Sequence, residues 1–125
     1  MIYGVGTDIV SVARIAAMLE RYGETFVRRI LAPEELDDFR STIRPERFLA
    51  KRFAAKEALS KALGTGLRHP VSLHNISIGH DDLGKPSFHF APRLLHWMDE
   101  RGIAQHHLSI SDEHHMASAF VILEK

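Results

Sequence analysis

Residues Pro45 to Leu63 constrain this chain most, because they form a long stretch with helical spacing, opened by one proline and stopped by Gly64. The pattern predicts a helix from Pro45 to Leu63 that crosses the middle of the molecule, with other elements packed around it. Ala50, Ala54, Glu57 and Lys61 recur along it at helical intervals and share one face. Two alanines beside an acid and a base predict open space above that face, where Glu57 could hold a metal and Lys61 could meet a phosphate. The same Glu57 and Lys61 also read as an ordinary surface pair worth about 0.2–0.5 kcal/mol.

A second constraint lies at the N-terminus. Met1 to Val10 alternates as a strand, with Tyr3, Val5, Thr7 and Ile9 on one face and Ile2, Gly4, Gly6 and Asp8 on the other. Glycines on one face predict close approach of another backbone or a ligand. Asp8 ends that glycine face, an awkward place for a carboxylate unless something pairs with it. An arginine or a turn backbone would serve, and so would Mg²⁺, which takes one or two carboxylates along with phosphates and water. Asp8 and Glu57 would suit that ion if the fold brings them together.

The remaining pattern supplies the frame. Ser11 is a candidate cap for a helix from Val12 to Tyr22, ended by Gly23 and burying Ile15, Leu19 and Tyr22. Arg14, Met18 and Arg21 share another face of it. Ala32-Pro33-Glu34-Glu35 reads as a further helix start. Strands are expected at Val71–Ile78, Ser87–Phe90, Leu108–Ser111 and Met116–Leu123, with a turn at Asp81–Pro86 and a helix from Pro92 to Arg101. This order predicts an α+β fold with a mostly antiparallel sheet packed on the long helix and shorter helices; a parallel βαβ arrangement is the competitor. With 125 residues and no repeat or linker, residues 1–125 read as one domain.

Several function classes drop out. There are no cysteines, so disulfides and thiolate zinc sites are excluded. The nine histidines lack zinc spacing, and no serine sits in a nucleophile elbow. Gly4-Val5-Gly6 lacks the third glycine of a dinucleotide fingerprint, and Gly64-Thr65-Gly66 follows a helix without a Walker lysine. Formal charge is zero, which gives no general argument for nucleic acid or membrane. No signal peptide or membrane span is evident, so a cytoplasmic location is expected. Between Arg40 and Lys61, however, seven bases face only two acids, a basic stretch that suits an anion or a solvated helix face.

Four segments in order resemble one family. They are Gly6-Thr7-Asp8-Ile9-Val10, the run from Phe48 through Lys56-Glu57 and Lys61 to Gly66, Gly84-Lys85-Pro86, and Leu108-Ser109-Ile110-Ser111. Together they resemble the bacterial holo-acyl-carrier-protein synthases of the 4′-phosphopantetheinyl transferase superfamily. The resemblance implies transfer of phosphopantetheine from coenzyme A to a serine of apo-acyl carrier protein, for fatty acid biosynthesis, with release of adenosine 3′,5′-bisphosphate. It implies a homotrimer with active sites between subunits. Asp8 and Glu57 match metal ligands for Mg²⁺, and Lys61 matches the lysine that contacts the phosphates. Gly64, Gly66, Lys85 and Pro86 lie where coenzyme A is expected, with Arg44 and Arg52 as candidates for its phosphates. Arg14, Met18 and Arg21, extended by Arg28, match a surface that docks the acidic carrier.

Two positions depart from the family pattern. Asp112 stands where many members have histidine, and Phe53 where tryptophan is frequent. Two other readings of the same residues are a different Mg²⁺-dependent enzyme acting on a nucleotide or pyrophosphate, and a non-catalytic module that binds an acidic helix.

Overall fold

A computed structural model describes residues 1–125. Its elements are β1 (Ile2–Ser11), α1 (Val12–Tyr22), α2 (Glu24–Ile30), α3 (Leu36–Ser41), α4 (Pro45–Leu63), β2 (Ile76–His80), β3 (Pro86–Phe90), α5 (Pro92–Glu100), β4 (Gln105–Asp112) and β5 (Met116–Glu124). Three strands form an antiparallel sheet in the order β1-β5-β4, and β2 and β3 form a separate antiparallel hairpin. The α+β expectation therefore holds, and no strand pair is parallel. The hairpin meets the main sheet through Phe90, whose ring stands edge-on to His106 at 5.0 Å.

α4 is the axis of the core. Leu49, Ala50, Ala54, Ala55, Ala58 and Leu59 on it are all 0% exposed. Its end is set by Gly64, whose φ of 79° only glycine adopts without strain. β1 lies directly against this helix. A Cβ at Gly4 would sit 1.9 Å from the Ala62 carbonyl oxygen, and one at Gly6 would sit 1.9 Å from that of Ala58. The approach inferred from the glycines is thus to a backbone, helix against strand. Ala50 and Ala54 are sealed in the interior, so the open space expected above them does not exist.

The basic stretch also resolves differently from a solvated face. Arg52 and Lys56 are buried, at 4% and 0% exposure, around Glu35 at 1%. Glu35 accepts from Arg52 Nη1 (2.7 Å), Lys56 Nζ (2.6 Å), the Ile78 amide (3.1 Å) and the Ala32 amide (2.9 Å). Lys56 completes its three donors with the carbonyls of Ile30 (2.8 Å) and Leu73 (2.9 Å). Burial lowers the Lys56 pKa, with the Glu35 charge opposing that fall. No buried side-chain polar atom is left without a partner.

Smaller expectations shift for local reasons. α1 matches its predicted bounds, and Ser11 Oγ accepts from the Arg14 amide at 3.3 Å. Tyr22, expected in its buried stripe, is 47% exposed, because the helix ends there and turns away at Gly23. α2 is absent from the sequence reading: seven residues between Gly23 and the Leu31–Pro33 corner are too few for a periodic signal. Pro33–Glu35 is a 3₁₀ turn leading into α3, as the Glu35 side chain folds back on the Ala32 amide. β2 starts at Ile76, not Val71, because Ser72 caps a 3₁₀ turn at Leu73–Asn75.

Gly6→Ala should cost about 3 kcal/mol or more, at the upper end of overpacking penalties, since its neighbour is backbone that cannot rotate aside. Gly102→Ala, where a Cβ meets nothing within 4 Å but φ is 73°, should cost only about 1 kcal/mol. Urea unfolding midpoints of the two variants check the difference.

Candidate active site

The β1–α4 contact determines where Asp8 goes. Two residues of strand advance about 6.7 Å and four of helix about 6 Å, so strand and helix keep step. Gly4 meets Ala62 and Gly6 meets Ala58, so the same step carries Asp8 toward the turn between Ala54 and Ala58, where it lines one groove with Glu57. Lys61 reaches over from the same helix. Its Nζ donates to the Thr7 carbonyl at 2.9 Å and to Asp8 Oδ1 at 3.1 Å. Lys61 therefore pairs with Asp8, and the simple Glu57–Lys61 surface pair does not form.

Glu57 is left half-buried without an ion-pair partner. Its pKa is raised, first by burial and then by the charge of Asp8, with Lys61 opposing. Two carboxylates repelling across one groove form a donor set suited to a small hard cation. No third histidine or carboxylate joins them. That matches Mg²⁺, which keeps water and phosphate oxygens in its remaining positions. The residues present fit the ion.

Two grooves meet at Asp8. One, of 540 Å³, runs from Asp8 and Glu57 past Phe53, Ile30 and Leu73 to Arg14, Met18 and Arg29. The other, of 360 Å³, is lined by Thr7, Asp8, Lys61, Phe120, Ser109 and Ser111. The last two bring the Leu-Ser-x-Ser segment to the site, because β4 lies across β5 from β1.

Of the residues expected to dock a carrier, Arg14 and Met18 line the larger groove. Arg21 is exposed and lies over the Tyr22 ring at 5.2 Å. Arg28 points elsewhere and pairs with Glu24 at 3.3 Å. Its neighbour Arg29 takes the groove position that the sequence reading missed. Only the phase of α2 separates the two arginines, and that helix was not foreseen.

The residues expected at coenzyme A do not gather in one groove of a single chain. Gly64 borders a 390 Å³ cleft with Thr65, Arg68, His69, Pro70 and Trp97. Gly66, with a φ of 65°, follows in the same loop. Pro86 lines a 420 Å³ groove with Lys51, His80, Gly84 and Asp112, and the exposed Lys85 precedes it. Arg44 lies in a neighbouring groove with Arg47, Lys51 and Asp112. Arg52 touches the Pro86 groove, but it is no free surface cation: its Nη1 bonds Glu35 and the Ile78 carbonyl. Asp112 is held by Arg47 at 2.7 Å, tying the end of β4 to the start of α4.

Comparison with known proteins agrees with this frame. The profile of the 4′-phosphopantetheinyl transferase superfamily matches residues 4–119. A holo-[acyl-carrier-protein] synthase of Nitrosomonas eutropha is 62% identical over 125 residues, covering all of both chains. The crystal structure of holo-[acyl-carrier-protein] synthase from Neisseria meningitidis superposes with a TM-score of 0.97 at 54% identity, covering both chains entirely. A holo-(acyl-carrier-protein) synthase from Bacillus anthracis, in complex with CoA (3′,5′-ADP), gives a TM-score of 0.82 at 38% identity, over 98% of this chain and 96% of that one. Likeness of sequence and backbone runs from one end to the other, and the chain belongs to the 4′-phosphopantetheinyl transferase superfamily.

Proposed function

We propose that this chain, acting as one catalytic domain over residues 1–125, transfers 4′-phosphopantetheine from coenzyme A to a serine of apo-acyl carrier protein and releases adenosine 3′,5′-bisphosphate. The observation that carries the reading is the meeting of Asp8, Glu57 and Lys61 at the junction of two grooves. Asp8 and Glu57 would hold Mg²⁺, which when bound neutralises pyrophosphate charge and acts as a Lewis acid. Lys61 is more than half exposed at its side chain and hydrogen-bonded at 3.1 Å to Asp8, so its ammonium can turn to a phosphate. There it offsets the charge that develops on the departing 3′,5′-ADP as the serine oxygen forms its bond to the β-phosphorus. Glu57, the carboxylate that lines the larger groove beside Asp8, stands within the site where the serine proton must be taken up.

The larger groove suits the carrier. Arg14 and Arg29 offer charge to an acidic helix, the exposed Arg21 adds to the field, and Met18 adapts to its apolar side. Coenzyme A is assigned to the grooves at Gly64–Gly66 and at Lys85–Pro86, with Arg44, Lys51 and the edge of Arg52 beside the latter.

Assembly as a homotrimer belongs to the same proposal. It is supported by the outer sheet face, where Val5 (49%), Ile9 (64%) and Phe120 (42%) are exposed beside the Asp8–Lys61 groove. A subunit packed there would add its own groove to the carboxylates. A cytoplasmic setting and service to fatty acid biosynthesis complete the reading; the cysteine-free chain is compatible with a reducing compartment, and no helix is long and apolar enough to cross a membrane.

Incubating the chain with apo-acyl carrier protein, coenzyme A and Mg²⁺ should add one phosphopantetheine mass to the carrier, read by intact mass spectrometry. EDTA, Asp8→Asn and Lys61→Ala should each abolish the gain, with Lys61→Ala still binding carrier. Turnover without a carrier would favour the pyrophosphate enzyme, and carrier binding indifferent to Glu57→Gln with no mass gain would favour the binding module.

The raised Glu57 pKa also predicts a pH effect. A carboxyl whose folded pKa lies above the usual 4.5 protonates earlier as pH falls, and a protonated carboxyl no longer holds the ion. Metal affinity should therefore begin to decline at a pH above the ordinary carboxylate range. Asp8→Asn should move the Glu57 titration downward, since it removes the second cause of the shift. An NMR titration of the Glu57 carboxyl checks this, and an unmoved midpoint would remove Asp8 from its surroundings.

A further inference from the structure

The wall of the groove beside Asp8 and Glu57 is built from two short elements. Ile30 ends α2, a seven-residue helix, and Leu73 opens a three-residue 3₁₀ turn. Elements of this length have few internal hydrogen bonds to fix them. Lys56 joins them from inside: Nζ donates to the Ile30 carbonyl at 2.8 Å, to the Leu73 carbonyl at 2.9 Å and to Glu35 at 2.6 Å. A second tie closes the same seam at the surface, where His74 Nε2 bonds the Arg28 carbonyl at 2.5 Å. The carbonyl only accepts, so this is the tautomer with the proton on Nε2.

Lys56 immediately precedes Glu57 on α4 and points about 100° away from it, and at 0% exposure it is out of reach of any ligand. Filling a core does not require an ammonium. A buried ion pair is weak evidence for stability, since apolar residues of similar volume often do as well. An apolar side chain cannot hold two carbonyls in fixed directions. The three protons of Lys56 match three acceptors, and two of those acceptors belong to residues that line the groove.

We propose that Lys56 and His74 are positioning residues that set the width of the carrier-docking groove by fixing α2 and the Leu73–Asn75 turn against α4. This rests on the carrier-docking reading of that groove. Through these ties Arg29, one residue before Ile30, is kept facing the groove while Arg28 is kept out of it.

The test is steady-state kinetics of the full chain with coenzyme A, carrier and Mg²⁺, at a temperature where circular dichroism shows each variant folded. Lys56→Gln should raise the KM for carrier roughly tenfold, and the milder His74→Ala about threefold, with kcat and the KM for coenzyme A within about twofold of the parent. A role confined to stability would lower kcat in step with the folded fraction and leave both KM values unchanged, which overturns the proposal. If Lys56→Gln does not fold, the exposed His74→Ala decides alone. Arg14→Ala and Arg29→Ala serve as controls. An unchanged carrier KM in both sinks the docking reading and this inference with it. A raised KM in the controls beside an unchanged one in Lys56→Gln and His74→Ala sinks this inference only.

Discussion

The contact between β1 and α4 is the constraint on which the rest of the structure depends. Two glycines let a strand backbone lie on a helix backbone at Ala58 and Ala62, with no side chain between them. Such contact is rigid, because backbone atoms have no rotamers to yield. It transmits the register of the strand to the helix and so delivers Asp8 to Glu57 and Lys61. A site built on two regular elements in direct contact is held more accurately than one carried on loops.

Charge in the interior does a different job. Glu35 draws Arg52 and Lys56 inward, and Lys56 in turn gathers the carbonyls of Ile30 and Leu73. α4 thus presents two kinds of lysine within a few residues. Lys61 is exposed and bonded to a carboxylate at the groove, while Lys56 is sealed and bonded to backbone. Their chemistry differs because they stand on different faces of the helix, Lys61 toward the site and Lys56 toward the core. An exposed lysine can exchange its partners for an incoming anion; a buried one with all three protons bonded cannot.

The residues proposed to face ligands lie on several faces around this axis. Arg14 and Arg29, proposed to face the carrier, stand on α1 and α2, while Pro86 and Arg44 line the two grooves that share Asp112. Asp112 is occupied by Arg47, which accounts for a carboxylate in a basic neighbourhood: the pair is a brace between β4 and α4. Charge that looked like a docking stretch in the sequence is therefore partly interior and partly paired. The cations that remain toward solvent, Arg44 and Lys51 among them, are fewer than the count suggests.

Strong local signals were legible in the sequence. Pro45 and Gly64 bounded α4, Ser11 and Gly23 bounded α1, and the glycines of β1 announced a close neighbour, because caps, breakers and missing side chains act over a few residues. The resemblance of ordered motifs indicated the family. Short elements were not legible: α2 and the Leu73 turn carry too few residues for periodicity, and with α2 went the distinction between Arg28 and Arg29. Nor could spacing reveal that Lys61 would choose Asp8 over Glu57, or that Arg52 and Lys56 would turn inward to Glu35. By itself, the sequence determined the bounds of the long helices, the strands with a clear alternation, and which residue types are available for chemistry. Only the tertiary structure decided which charges meet, because partners as far as sixty-five residues apart are chosen by the packing of β1 and β4 on α4 and by what that packing leaves exposed.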